Sequence, residues 1–315
     1  MNKKIFVDGA AGTTGLEIRE RLAGRRDLEV VQLSEAERKD TAARRRALND
    51  AGVVILCLPD DAAREAVSLI ENPEVRVIDA STAHRVAPGW VFGFPELEPD
   101  GYEKLKAAKR VTNPGCWSTG FLGLVRPLLR AGLIPADAAL SAHGVSGYSG
   151  GGKSMIEEFE KKSSPAYVET VSRTYAMQLG HKHVPEMTQR AGLEHPPIFM
   201  PAVGRYYRGM IVELPLHLWQ LPGTNAARIR EAWSAAYQGR PFIEIASAAE
   251  TDAVKALDAE ALKNTNKLKL YVFENARTQQ ARLTAVFDNL GKGASGAAVQ
   301  SLNILLGLPE TTGLQ

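Results

Sequence analysis

Cysteine is the scarcest chemistry in this chain: 315 residues contain two, Cys57 and Cys116. That scarcity excludes a disulfide framework and a cysteine-based zinc site. An excess of one charge is missing too. The 38 Lys and Arg stand against 36 Asp and Glu, a formal net charge of +2, too little to draw the chain broadly to nucleic acid or an acidic membrane. No apolar run approaches the roughly 18 residues a membrane helix needs. The opening MNKKIFVDGA enters a strand pattern at once, without a signal peptide's apolar stretch and cleavage site. The densest basic run, Arg44-Arg45-Arg46, reads as a solvated helix face. The expectation is a cytoplasmic protein of a reducing compartment, with no nucleic acid, membrane or metal among its partners.

What is present is a hydrophobic fraction of 44%, enough for a large core and two domains. Residues 4–8 read as a short buried strand. The turn Gly9-Ala-Ala-Gly12-Thr-Thr-Gly15 follows, then a helix with Leu16, Ile18 and Leu22 on its apolar positions. Strands are expected at 28–33, 53–58 and 76–79, and a helix over 60–70. This alternation implies parallel βαβ units in a doubly wound α/β sheet. Beyond Cys116 the pattern changes: a helix to about residue 131, a strand at 138–142, and a stretch rich in Ser, Gly and Lys over 144–165. Further strands are expected at 209–217, 269–274 and 282–288, with a helix at 226–237. That order is α+β, with a mixed or antiparallel sheet. The last segment, 291–308, reads as a small-residue helix.

In the glycine turn the spacing is three and three, between a strand and a helix at the start of a βαβ run. Glycines there let the backbone approach a pyrophosphate, and the helix start supplies N–H groups and a positive dipole end. Gly9, Gly12, Thr13, Thr14 and Gly15 are the candidate cofactor contacts. A site for NAD ends its second strand in an acid that holds the ribose 2′-OH. Here that strand ends in Ser34, with Arg38 and Lys39 close behind, a set suited to a 2′-phosphate and so to NADP(H); Glu35 is the one residue that argues the other way.

The sharpest segment is Thr112-Asn-Pro-Gly-Cys116-Trp-Ser-Thr-Gly120. Asn-Pro-Gly makes a turn and the apolar run after it a helix, so the Cys116 thiol sits at a helix N-terminus, which favours the thiolate. Cys57, within a continuous apolar strand, reads instead as a small buried hydrophobe. A cysteine nucleophile needs an acid–base partner. Among six histidines the best candidates are the pair in Gly180-His-Lys-His183-Val-Pro-Glu186. Spacing of two in an extended segment would point His181 and His183 the same way, with Glu186 orienting one of them. As a metal site the pair lacks a clear third ligand. Arg85, after the fourth strand, and Lys153, in the glycine-rich stretch, are candidate phosphate contacts.

Five separated segments, Gly12-Thr-Thr-Gly15, Asp79-Ala-Ser-Thr-Ala-His-Arg85, Asn113-Pro-Gly-Cys116, Gly180-His-Lys-His-Val-Pro-Glu186 and Asp288-Asn-Leu-Gly-Lys-Gly-Ala-Ser-Gly296, together resemble the short form of the N-acetyl-gamma-glutamyl-phosphate reductase family. The resemblance runs from residue 5 to about 313. It implies a Rossmann NADP-binding domain over 1–115, completed by a returning C-terminal helix, 291–315. It also implies a glyceraldehyde-3-phosphate-dehydrogenase-like domain over 116–290 for catalysis, substrate and oligomerisation. Cys116 is then the nucleophile of an NADPH-dependent acyl-phosphate reduction, and His181 and His183 the acid–base pair. Asn289 and Gly291 fall near the nicotinamide, and Asn113, Glu186 and Arg208 on the substrate side, Arg208 toward its carboxylate. A homodimer or homotetramer is expected. The competing expectations are a related reductase (aspartate-semialdehyde dehydrogenase or a carrier-linked aminoadipyl type) and a non-enzymatic NADP-sensing Rossmann protein.

Overall fold

The structure, a computed structural model, describes residues 3–9 and 12–315; Ala10 and Ala11 of the glycine turn lie outside the described residues. The chain divides into two compact units. One comprises Met1–Pro95, Asp100–Gly115 and Ala294–Gln315, the other Glu96–Pro99 and Cys116–Gly293. Glu96–Pro99 thus groups with the second unit although the sequence pattern leaves it in the first, and residues 291–293 group there as well.

The first unit is built on β1 (Lys4–Asp8), β2 (Glu29–Val31), β3 (Val53–Leu56), β4 (Arg76–Asp79), β5 (Val91–Phe92) and β6 (Arg110–Thr112). They form one sheet in the order β2-β1-β3-β4-β6-β5, every neighbouring pair parallel. Runs such as Val53-Val-Ile-Leu56, buried at all four positions, are what a strand covered on both faces requires. Ile5, Val7, Val53 and Ile55 point into one apolar layer, Phe6, Val54 and Leu56 into the other, as the two-residue strand period dictates. The connecting helices are α1 (Thr13–Leu22), α2 (Thr41–Asp50), α3 (Asp60–Ser68) and α4 (Gly101–Ala107). The C-terminal helix, Gly296–Leu305, completes the first layer with Ala298, Val299, Leu302 and Leu305. It is buried along its whole length, which is why its residues are small or apolar.

Strand order reverses around β1, with β2 on one side and β3 on the other. Open α/β sheets hold their ligands at the carboxyl end of such a switch. Gly9 leaves β1 there with φ +85°, and a Cβ on it would lie 2.3 Å from the Cys57 carbonyl oxygen, so no other residue makes this turn without displacing β3. One expectation is corrected. Arg44 is not part of a solvated face: its Nη2 lies 2.9 Å from Oδ2 of Asp8 and its side chain is 13% exposed. A carboxylate buried at the end of β1 needs a countercharge, and α2 supplies it from its inner side. Arg45 and Arg46 are exposed.

The second unit contains β7 (Ser141–Gly147), β8 (Ser172–Thr174), β9 (Ile198–Gly204), β10 (Met210–His217), β11 (Ile243–Ile245), β12 (Leu268–Asn275) and β13 (Gln280–Phe287). Their order is β11-β12-β13-β10-β7-β9-β8, with parallel and antiparallel pairs mixed. Its helices are α5 (Cys116–Arg130), α6 (Gly152–Glu160), α7 (His183–Ala191), α8 (Ala226–Ala236) and α9 (Ala248–Ala253). Pro127 lies inside the continuous α5, where it cannot donate to the Gly123 carbonyl one turn back; the Tyr237 hydroxyl donates to that carbonyl instead, at 2.8 Å. The strand expected at 138–142 forms at Ser141–Gly147, and the Ser/Gly/Lys stretch folds partly into α6. β9 escapes sequence reading because Pro201 lies in its middle, where a proline argues against a strand. Among the described residues no helix is long and apolar enough to cross a membrane.

Candidate active site

In the second unit, Cys116 is the first residue of α5 and half-buried. Its neighbour Trp117 is buried and donates its indole N–H to the Tyr175 hydroxyl oxygen at 2.9 Å. Phe199 of β9 stands edge-on to Trp117 and to His181, with ring centroids 5.2 Å apart in each case. Tyr175 and His181 are 5.8 Å apart, and His181 and His183 4.8 Å. A cavity of about 230 Å³ opens among these groups, lined by Cys116, Ser146, Tyr175, Lys182 and both histidines, with glycine backbone from the 147–151 turn. Burial first, and the charge of the Cys116 sulfur second, push the Tyr175 phenol far above its ordinary pKa, so it stays protonated as a hydrogen-bond donor beside the thiol.

The two histidines come together by a different route from the one expected. The segment is not extended: Lys182 is in the right-handed helical region and His183 opens α7. Pro185 lies in the first turn, where its missing N–H has no intrahelical partner to lose, and Glu186 favours the same end of the helix dipole. Gly192 closes α7 in the left-handed region. The tight lead-in lets the His183 backbone N–H donate to Nδ1 of His181 at 3.2 Å. An accepting Nδ1 puts the proton of neutral His181 on Nε2, so Nε2–H is its donor. Glu186 is buried and lies three residues along the same helix face as His183. Its charge also acts on Arg190, whose pKa burial lowers.

Other sequence candidates have other surroundings. Lys153 is exposed in α6 and is not among the cavity-lining side chains; the lysine found there is Lys182. The Arg208 Nε lies 2.8 Å from Oδ2 of the wholly buried Asp288, whose carboxylate also accepts the Asn264 and Leu290 N–H groups. Asn289 is buried and fully engaged: its Oδ1 accepts the Gly209 N–H at 2.7 Å and its Nδ2 donates to Ser149 Oγ at 2.9 Å, which ties the cavity's glycine turn to the start of β10. Gly291 packs on Thr265, whose carbonyl oxygen leaves no room for a Cβ.

In the first unit, α1 begins after Gly12 with no side-chain cap, whereas Asp40 caps α2 by accepting the Ala42 N–H. Thr13 Oγ1 is buried at that uncapped start without a hydrogen-bond partner; Thr14 is half-buried and Gly15 buried. Ser34 and Glu37 cap one another, backbone N–H to carboxylate at 2.8 Å and N–H to hydroxyl at 3.3 Å. Arg38, Arg19, Gln32 and Asp8 line a cavity of about 70 Å³ at the ends of β1 and β2, and Lys39 is exposed. An uncapped helix start, an orphaned hydroxyl and two arginines at the second strand fit the phosphates of NADP(H). After β4, the buried Asp79 carboxylate accepts from Ser81 and faces the His84 Nδ1 at 2.6 Å. Arg85 is buried in the same turn, and the Asn113 amide donates to the Ala294 carbonyl at 3.0 Å.

Sequence reasoning missed Tyr175, Lys182 and Phe199. Lys182 was legible as the middle of His-Lys-His. Tyr175 and Phe199 carry no local signal, since only strand pairing of β8, β7 and β9 brings them to Trp117.

The chain matches two family models: "Semialdehyde dehydrogenase, NAD binding domain" over residues 4–105 and "Semialdehyde dehydrogenase, dimerisation domain" over residues 116–289. It is 50% identical to an N-acetyl-gamma-glutamyl-phosphate reductase of Trichormus variabilis, with all of both chains covered. It is 49% identical to N-acetyl-gamma-glutamyl-phosphate reductase 2 of Pseudomonas putida, over 98% of each. Its fold is similar to aspartate semialdehyde dehydrogenase II of Vibrio cholerae (TM-score 0.73, 14% identity, 98% and 99% of the chains). It is also similar to the Candida albicans aspartate semialdehyde dehydrogenase solved with NADP (TM-score 0.65, 14% identity, 97% and 99%).

Proposed function

The chain belongs to the semialdehyde dehydrogenase family and, within it, to the N-acetyl-gamma-glutamyl-phosphate reductases, and from that membership we propose that it reduces N-acetyl-gamma-glutamyl phosphate through a thioester on Cys116. The products are N-acetylglutamate 5-semialdehyde and phosphate, a step of arginine biosynthesis. The observation that carries the cysteine's part is one cavity lined by a helix-start thiol, the His181–His183 pair and Tyr175.

The Cys116 sulfur attacks the acyl-phosphate carbon, the C–O bond to phosphate breaks, and a thioester remains. Backbone N–H groups at the start of α5 and the Tyr175 O–H are the donors available to the carbonyl oxygen. NADPH, when bound, supplies the hydride that reduces the thioester. His181 donates a hydrogen bond from Nε2–H to the oxyanion of the resulting tetrahedral intermediate, and His183 holds His181 in that tautomer through its backbone N–H. Collapse of that oxyanion breaks the C–S bond, frees the aldehyde and restores the Cys116 thiolate. Lys182, which lines the cavity where Lys153 does not, is the lysine placed to bind the phosphate.

Gly9, Gly12, Thr13, Thr14 and Gly15 would hold the pyrophosphate and Ser34, Arg38 and Lys39 the 2′-phosphate. A homodimer or homotetramer is part of the reading, supported by the name of the matching dimerisation model and by the exposed Ile198 and Met200 on one side of β9. A cytoplasmic location follows from the need to keep Cys116 reduced. Replacing Cys116 with Ala tests the reading: NADPH oxidation by the acyl phosphate is expected to vanish while NADPH binding, read by its fluorescence, persists. Near wild-type turnover would overturn the covalent route. In the reverse direction, oxidation of the semialdehyde is expected to require phosphate or arsenate.

A further inference from the structure

Lys292 is 1% exposed and Glu96 wholly buried, with Nζ 2.6 Å from Oε1. The ammonium also stands 5.6 Å from the centre of the Phe242 ring. Taking two charges out of water is costly, and this pair occupies a telling position. Lys292 lies in a π-helical turn, Gly291–Ser295, a form that recurs at functional sites. Both of its neighbours are glycines pressed against other backbone or side-chain atoms. A Cβ on Gly291 would sit 2.1 Å from the Thr265 carbonyl oxygen, and one on Gly293 would sit 2.9 Å from Cβ of Cys116. Glycine backbone is the least rigid the chain offers, so the turn needs something else to hold it against the nucleophile.

That hold returns to the helix that begins with Cys116. Glu96 belongs to the four-residue excursion Glu96–Pro99 that joins the second unit. Within it, Glu98 Oε1 accepts from Arg126 Nε at 2.6 Å and the Leu97 carbonyl accepts from Arg130 Nη1 at 2.7 Å. Arg126 and Arg130 lie on the last turns of α5. A closed circuit therefore runs from the far end of α5 through Glu98 and Glu96 to Lys292 and Gly293, and back to Cys116 at its near end.

We propose that Lys292 and Glu96 are positioning residues for the nucleophile: their ion pair sets the Gly293 backbone against Cys116 and thereby fixes where the sulfur stands. The inference rests on Cys116 being the nucleophile. A displacement of the sulfur by about 1 Å is enough to lower turnover about a hundredfold, whereas a pair that merely stabilised the fold would leave the folded enzyme's chemistry intact.

The test is the double replacement Lys292→Met with Glu96→Leu, which removes both charges and keeps an apolar filling, a change that buried ion pairs often tolerate. With folding verified by melting, kcat is expected to fall at least about tenfold with KM little changed. The pH profile of Cys116 alkylation by iodoacetamide is expected to differ from that of the wild type. Should that variant not fold, Glu96→Gln keeps the shape and removes the charge, with a smaller fall in kcat and the same change of profile expected. A folded variant with wild-type kcat and wild-type alkylation profile overturns the proposal. An active Cys116→Ala enzyme would instead overturn the nucleophile assignment on which it rests, so the two failures are distinct.

Discussion

Replacing Gly293 with Ala puts one methyl group where the structure has no space for it. The added carbon would lie 2.9 Å from Cβ of Cys116, 3.2 Å from the Asp288 carbonyl oxygen and 3.2 Å from the Phe287 ring. Carbon atoms in contact settle at about 3.5–4.0 Å, so the sulfur-bearing residue or the turn has to move by about 1 Å. The turn has little freedom, because Gly291 already meets the Thr265 carbonyl and Lys292 is anchored on Glu96. Most of the displacement therefore falls on Cys116. Overpacking of this kind costs about 1–3 kcal/mol of stability. A nucleophile misplaced by about 1 Å loses about a hundredfold in rate, equivalent to about 2.7 kcal/mol of barrier. The assay is steady-state NADPH oxidation, with thermal melting to confirm the fold. The expected result is a small drop in melting temperature, a kcat lower by about two orders of magnitude, and a KM close to wild type. A folded variant with wild-type kcat would refute the reasoning, since it would show that the Gly293 backbone does not constrain the sulfur.

Three further outcomes are expected. Cys57 is half-buried rather than buried as its apolar run suggests; desolvation, then the Asp79 and Asp8 carboxylates, push its thiol from 9.0 up to about 12, so at neutral pH a thiol reagent should titrate Cys116 quickly and Cys57 slowly; two equally fast thiols would contradict this. Because the folded thiol ionises later than the unfolded one, its contribution to stability is complete below pH 9.0 and fades as pH climbs toward about 12. Denaturant titrations of Cys57→Ala should show a shallower alkaline decline than the wild type. Removing the hydroxyl with Tyr175→Phe deprives the buried Trp117 N–H of its acceptor, a loss of about 1–3 kcal/mol in unfolding free energy, together with a lower kcat. An unchanged denaturation midpoint would mean that this bond does not hold the cavity wall.

Much of the architecture is written in local pattern. The buried runs at β1, β3 and β4, the glycine turn between β1 and α1, and the polar turn ahead of Cys116 each announce themselves within about ten residues, because strand period, glycine geometry and helix starts are local physics. The family itself was legible from five short segments in order. Pairings distant in sequence were not. Pro201 masks β9, so the sequence gives no warning that Phe199 stands between Trp117 and His181. His181 and His183 were identified, but the spacing of two suggested a strand where a helix start was formed, and the hydrogen bond that assigns the His181 tautomer depends on that turn. Arg208 and Asn289 look like free polar groups in a motif, and only the folded chain shows Asp288, Gly209 and Ser149 engaging them.

The sequence by itself determined the α/β order of the first unit, the family and the class of cofactor, since each depends on residues close together along the chain. Tertiary structure alone decided that Tyr175 and Lys182 share a cavity with Cys116, that Arg44 turns inward to Asp8, and that Lys292 finds Glu96 almost two hundred positions away. Contacts of that kind depend on where a fold brings a charge or a ring out of water. The physical need for a partner is general, but which partner answers it is set only when the sheets and helices are packed.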